Sequence, residues 1–187
     1  VAGRFKDDPL RASYKAWITA WVGQSRVAVK YKLCNPNPDQ YTVILVDRST
    51  LELTLASRAK KVWLGVDEPL EAAGDGWIHQ GLYLHHTYQD IAGAAKAGSR
   101  GKEIWSAESP KDKPAGWIAA GNGRTVLACD RLFATNPARR MAVAGNTLTL
   151  DGIAERFEGP KDAQFHPDPP TGQPWKPEGF CLFACPP

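Results

Sequence analysis

From Val27 to Cys34 the chain alternates in polarity: Val27, Val29, Tyr31 and Leu33 are apolar, with Arg26, Ala28, Lys30 and Lys32 in the intervening places. A period of two is that of a strand with one face buried and one in water. Trp117–Cys129 reads as strand, turn, strand, because Gly121-Asn122-Gly123 supplies the positive dihedrals of a tight hairpin. Met141–Ala144 and Thr147–Leu150, separated by Gly145-Asn146, form a second such hairpin, and Ile153–Phe157 extends it. Tyr41–Val46, Leu51–Leu55, Lys61–Val66 and Lys102–Ala107 are further strands, and so is Trp77–Tyr88, with a bulge at Gly81. One segment has a different period. In Pro9–Val22 the apolar residues Leu10, Tyr14, Trp17, Ile18 and Trp21 recur at three and four, which predicts a helix ended by Gly23.

Polar and glycine-rich stretches separate these elements. Asn35–Asp39 is a proline turn, Asp67–Gly76 an acidic loop, Ile91–Arg100 a loop marked by its glycines, and Glu108–Pro114 a polar connection. Gly159–Pro187 holds eight of the fifteen prolines without apolar periodicity and predicts an extended tail. The expected architecture is mainly β: an antiparallel barrel or sandwich with one N-terminal helix and a Pro-rich C-terminal tail. Residues 1–158 form the domain in this reading and residues 159–187 the tail.

Composition refines that picture. A hydrophobic fraction of 43% and a charged fraction of 23% are those of a globular protein. A net charge of +3 over 187 residues, with Lys and Arg interspersed among Asp and Glu, argues against a nucleic-acid partner. No apolar run approaches the roughly 18 residues of a membrane span. Four cysteines suit an oxidising compartment. Cys34 and Cys129 each end a strand, and the expected disulfide joins them, clamping the first strand to the last. Cys181 and Cys185 then tether the tail, although four cysteines formally allow three pairings. A secreted or periplasmic protein is expected, with Val1 following a removed leader or a trimmed segment.

Candidate chemistry is sparse. His79, His85 and His86 share one strand, where His79 and His85 face one side and His86 the other, so no metal site is expected. No nucleophile elbow, phosphate loop or zinc-protease helix occurs, and no cofactor is expected. An enzymatic alternative uses His85 and His86 with a carboxylate such as Glu155; Leu84–Tyr88 resembles the His-containing first strand of ADP-ribosylating toxins over those few residues. Trp63, Trp77, Trp105 and Trp117 lie in or at the start of strands, where they serve the core; any exposed aromatic surface suits protein binding.

The opening strand Val29-Lys30-Tyr31-Lys32-Leu33-Cys34, the loop Ala94–Gly101 leading to Ile104-Trp105, and a closing strand ending on Cys129 resemble the membrane-bound and periplasmic inhibitors of C-type lysozyme. The resemblance implies a small β-barrel that inhibits an enzyme by inserting a loop. That family's loop Ser, Tyr and Lys fall on Ala97, near Gly101 and on Ala107 here. The function expected is therefore an exported, non-enzymatic protein-binding protein: an inhibitor or immunity protein against a cell-wall hydrolase or delivered toxin. An envelope component that binds small ligands is a further alternative. The expected contact residues are Asp67, Glu68 and Asp75, the run Ala97, Gly98, Ser99, Arg100 and Lys102, and Lys111 and Lys113.

Overall fold

The computed structural model describes residues 2–4, 12–35, 44–46, 49–80, 95–107, 114–131, 133, 139–153 and 180–182. The chain divides into two compact units, one formed by Val1–Val46 with Glu178–Pro187 and the other by Asp47–Pro177. The described residues of both are β-structure joined by turns. The expected boundary at residues 158 and 159 lies outside the described residues.

In the first unit, Ala2–Arg4 (β1), Ser13–Ala20 (β2) and Val27–Cys34 (β3) form an antiparallel sheet in that order. Ile44–Val46 (β4) pairs with Phe180–Leu182 (β15) in a separate ribbon. Two expectations are corrected here. Ser13–Ala20 is a strand, not part of a helix, and pairs with β3 along its whole length from Ser13↔Cys34 to Ala20↔Val27. The aromatic and β-branched side chains of Tyr14, Trp17, Ile18 and Thr19 favour a pleated surface, and pairing with β3 overrides the three-and-four spacing. Within the proline tail, Phe180–Leu182 is a strand.

The second unit is a β-sandwich. Its larger sheet comprises Lys102–Ser106 (β10), Ala95–Ser99 (β9), Gly76–Gln80 (β8), Arg139–Ala144 (β13), Thr147–Ile153 (β14) and Ser49–Thr54 (β5), in that order. The smaller sheet runs Thr125–Cys129 (β12), Trp117–Gly121 (β11), Lys61–Leu64 (β6), Leu70–Ala73 (β7). Every pairing in both sheets is antiparallel. Val62, Leu64, Ile118 and Ala120 from the smaller sheet meet Ile78, Met141, Val143 and Leu148 from the larger one in a single buried layer. A Cβ on Gly76 would come within 2.9 Å of Val62 and 3.0 Å of Leu64, so the sheets approach this closely only because β8 begins on glycine. The sheets are open: of the expected alternatives, barrel and sandwich, this unit is the sandwich.

Two loops expected from polarity contain strands. Leu70–Ala73 lies inside the acidic stretch because Ala72 is buried and Leu70 packs on the core. Ala95–Ser99 forms β9 despite its glycine; Gly98 sits under the indole of its cross-strand partner Trp77, which a Cβ would strike. The two expected hairpins are present, with Gly123 and Gly145 at φ 80° and 62°. Of the expected strand Trp77–Tyr88, the structure describes β8 alone.

The disulfide expectation is also corrected. Cys34 and Cys129 are free thiols. Cys34 ends β3, which pairs with β2, and Cys129 ends β12, the edge of a different sheet, so neither strand closes a sheet onto the other. Cys185 lies outside the described residues, and of Cys181 only its place in β15 is described. Among the described residues no helix is long and apolar enough to cross a membrane.

Two outcomes follow. Ile78→Ala opens a cavity at a residue 0% exposed and lowers the unfolding free energy by about 2–5 kcal/mol, whereas Ile18→Ala, at a site 64% exposed, changes it by about 0.5 kcal/mol or less; urea denaturation measures both. Alkylation of the unreduced native protein labels the peptides carrying Cys34 and Cys129, and exposed Cys129 reacts first.

Candidate functional site

The β2–β3 hairpin is the most exposed apolar element in the described structure. Directly opposed residues of an antiparallel pair share a face. One face therefore carries Tyr14, Ala16, Ile18 and Ala20 opposite Leu33, Tyr31, Val29 and Val27. The other carries Ser13, Lys15, Trp17 and Thr19 opposite Cys34, Lys32, Lys30 and Ala28. A sheet with so apolar a face normally buries it. Here Ile18 is 64%, Val27 61%, Val29 44% and Tyr31 45% exposed. The connecting turn, closed by the Gln24 N–H donating to the Trp21 carbonyl at 3.1 Å and by Gly23 at φ 75°, leaves Trp21 exposed and Val22 wholly in solvent.

Cations sit against the aromatic rings. The Arg26 guanidinium lies 4.5 Å from the centroid of Trp21, and Lys30 Nζ lies 5.3 Å from that of its cross-strand partner Trp17. Tyr14 and Tyr31 stack across the strands at 6.0 Å. Trp17, Thr19, Ala28, Val29 and Lys30 line a shallow open recess of about 330 Å³. Residues 12–35 contain Lys15, Arg26, Lys30 and Lys32 and no Asp or Glu. Against the whole-chain charge of +3, the hairpin's +4 leaves −1 for everything else. The Lys and Arg residues are scattered along the chain as expected, 19 of the 23 lying outside this hairpin; what sets the hairpin apart is that no carboxylate offsets its cations. Pro9–Pro38, a run of 30 residues without a carboxylate, was the available signal.

The expected contact residues do not form one patch. Asp67 and Glu68 are exposed before β7, and Asp75 lies after it, at the strand's other end. Asp75 has internal partners: its Oδ1 accepts the Gly145 N–H at 3.0 Å and its carbonyl accepts the Ser99 hydroxyl at 2.7 Å. Ala97 and Gly98 are buried within β9, while Arg100 and Gly101 form the exposed β9–β10 turn at φ 50° and 73°, with Lys102 opening β10. Lys111 and Lys113, and the alternative site residues His85, His86 and Glu155, lie outside the described residues. His79 is half-buried on β8 beside Arg140 of β13 and Lys96 of β9. Among the described residues no group of three His, Cys, Asp or Glu is placed to hold a metal.

Other polar contacts hold the sandwich together. Asp130, just after β12, accepts from Arg139 Nη1 at 2.7 Å, tying the smaller sheet to the larger, and Thr50 Oγ1 donates to Asp151 Oδ1 at 2.5 Å across β5 and β14. Lys61 pairs with Glu71, and Lys96 with Glu103, on the outer faces, where such pairs add little. No protein-family model, curated protein or solved structure matches the chain.

Asp75 separates a contact residue from a structural one. Asp75→Ala strips the Gly145 N–H of its acceptor and lowers sandwich stability by about 1–2 kcal/mol, while Asp67→Ala, at an exposed loop position, shifts it by about 0.5 kcal/mol or less in the same denaturant titration.

Proposed function

We propose that this is a non-enzymatic docking protein: the β2–β3 hairpin seats the chain on a larger surface, and the sandwich unit is the body held there. The observation that carries this reading is the solvent exposure of Ile18, Val27, Val29 and Tyr31 on one continuous apolar face. A soluble fold rarely leaves such a face in water, and where it does the patch usually marks an interaction site. Trp17 on the opposite face and Trp21 in the turn add large aromatic area to the same hairpin, each already stacked with a cation, and such residues dominate contact energetics.

This keeps the binding protein expected from the sequence and moves its contact surface. An exported inhibitor or immunity protein is one member of the class, with the hairpin in the place assigned to the loops around Asp67 and Arg100. Export to the periplasm or beyond is part of the proposal; its support is the even count of four cysteines and not a Cys34–Cys129 bond, since both are free thiols.

The test is positional. A photoreactive phenylalanine analogue in place of Val29, irradiated with an envelope fraction of the source organism, is expected to give adducts that disappear when Ile18→Lys is added. The same analogue in place of Glu103, on the outer face of the larger sheet, is expected to give few. Equal adduct yields at the two positions, or yields indifferent to Ile18→Lys, would refute the hairpin as the docking element.

A further inference from the structure

We propose that the surface on which the hairpin docks is an anionic lipid bilayer. This rests on the reading of the hairpin as the docking element and adds the chemistry of what it meets. Charge supplies the first argument. With four cations and no carboxylate, residues 12–35 complement a negatively charged surface at every charged position.

The apolar face supplies the second. Ala16, Ile18, Ala20, Val27, Val29 and Leu33 offer no side-chain hydrogen-bonding group, and on this face only the Tyr14 and Tyr31 phenols do. Protein interfaces typically carry about one hydrogen bond per 100–200 Å². A broad face so poor in polar groups matches the acyl boundary of a bilayer better than another protein's surface.

The turn supplies the third. Val22 projects fully into solvent at the extremity of the hairpin, with Trp21 beside it and Arg26 stacked on the indole. Tryptophan settles at the level of lipid headgroups because one part of it is apolar and its N–H is not, and an adjacent guanidinium meets phosphate there. Lys15, Lys30 and Lys32, on the opposite face, have stems long enough to carry their ammonium groups to headgroup level while the apolar face lies below.

The geometry also sets the depth. Strands of eight residues extend about 27 Å at roughly 3.4 Å per residue, close to the hydrocarbon thickness of about 30 Å. Spanning strands need their edges closed into a barrel, since unpaired backbone groups are not tolerated in hydrocarbon. An open sheet such as β1–β2–β3 lies in the interface, about 5–10 Å deep, as amphipathic elements do.

The experiment is flotation of the full chain with vesicles. With phosphatidylcholine and phosphatidylglycerol at about three to one, the protein floats; with phosphatidylcholine alone it does not; and raising the salt from about 0.1 M to 1 M, which shortens the screening length from about 10 Å to 3 Å, releases it. Val22→Asp and Arg26→Glu each weaken flotation about tenfold or more, and Lys102→Glu on the β9–β10 turn leaves it unchanged. Val22 has no packing to lose, so Val22→Asp tests docking and not folding. Failure to float, flotation equal on neutral vesicles, or flotation indifferent to Val22→Asp and Arg26→Glu would overturn the lipid assignment. Failure to float combined with protein adducts at Val29 removes the lipid and leaves the docking reading intact; absence of any adduct at Val29 removes both.

Discussion

A β-strand presents successive side chains to opposite faces, so every sheet has two surfaces whose environments must be settled. In the unit formed by Asp47–Pro177 the settlement is internal. Two open sheets turn their apolar faces inward, and Ile78, Met141, Val143 and Leu148 meet Val62, Leu64, Ile118 and Ala120. The larger sheet is wider than the smaller, and its edge strand shows the cost. Leu51 and Leu53 share the inner face with Leu150 and Leu148 yet remain 39% exposed. In the other unit, β2 and β3 have the same alternation, and the part of their apolar face formed by Ile18, Val27, Val29 and Tyr31 stays in water. The proposed function grows from that difference.

Polar groups fix how these layers meet. The Asp130–Arg139 pair joins the end of β12 to the start of β13, and Asp75 ties three turns together through Gly145 and Ser99. Such contacts make a carboxylate structural even when its neighbours in sequence look like an exposed acidic loop. Asp67 and Glu68 are exposed; Asp75, a few residues on, is committed to the fold.

Much of the strand content was legible because it rests on local chemistry. Asn122-Gly123 and Gly145-Asn146 specify tight turns, and the runs flanking them alternate or are continuously apolar. The failures have physical causes as well. Tyr14, Trp17, Ile18 and Trp21 fit a helical stripe as readily as a strand, and pairing with β3 decides between them. Gly98 reads as a loop breaker, yet in β9 it is the only residue that admits the Trp77 ring over the backbone. For the candidate site, the four cations and the alternation of β3 were visible, but the exposure of the apolar face was not, because periodicity reports that two faces differ and not which one is covered.

The amino-acid sequence by itself determined that this chain is built of short antiparallel strands, and where several of them turn, because side-chain alternation and glycine conformations act within a few residues. Only the tertiary structure decided that Cys34 and Cys129 end strands of different sheets without a bond between them, that β8 packs glycine-close against β6, and that Ile18, Val27, Val29 and Tyr31 are left exposed. Each of those depends on which distant strand comes to lie beside or above another, a choice made by the summed burial of many side chains that no local pattern records.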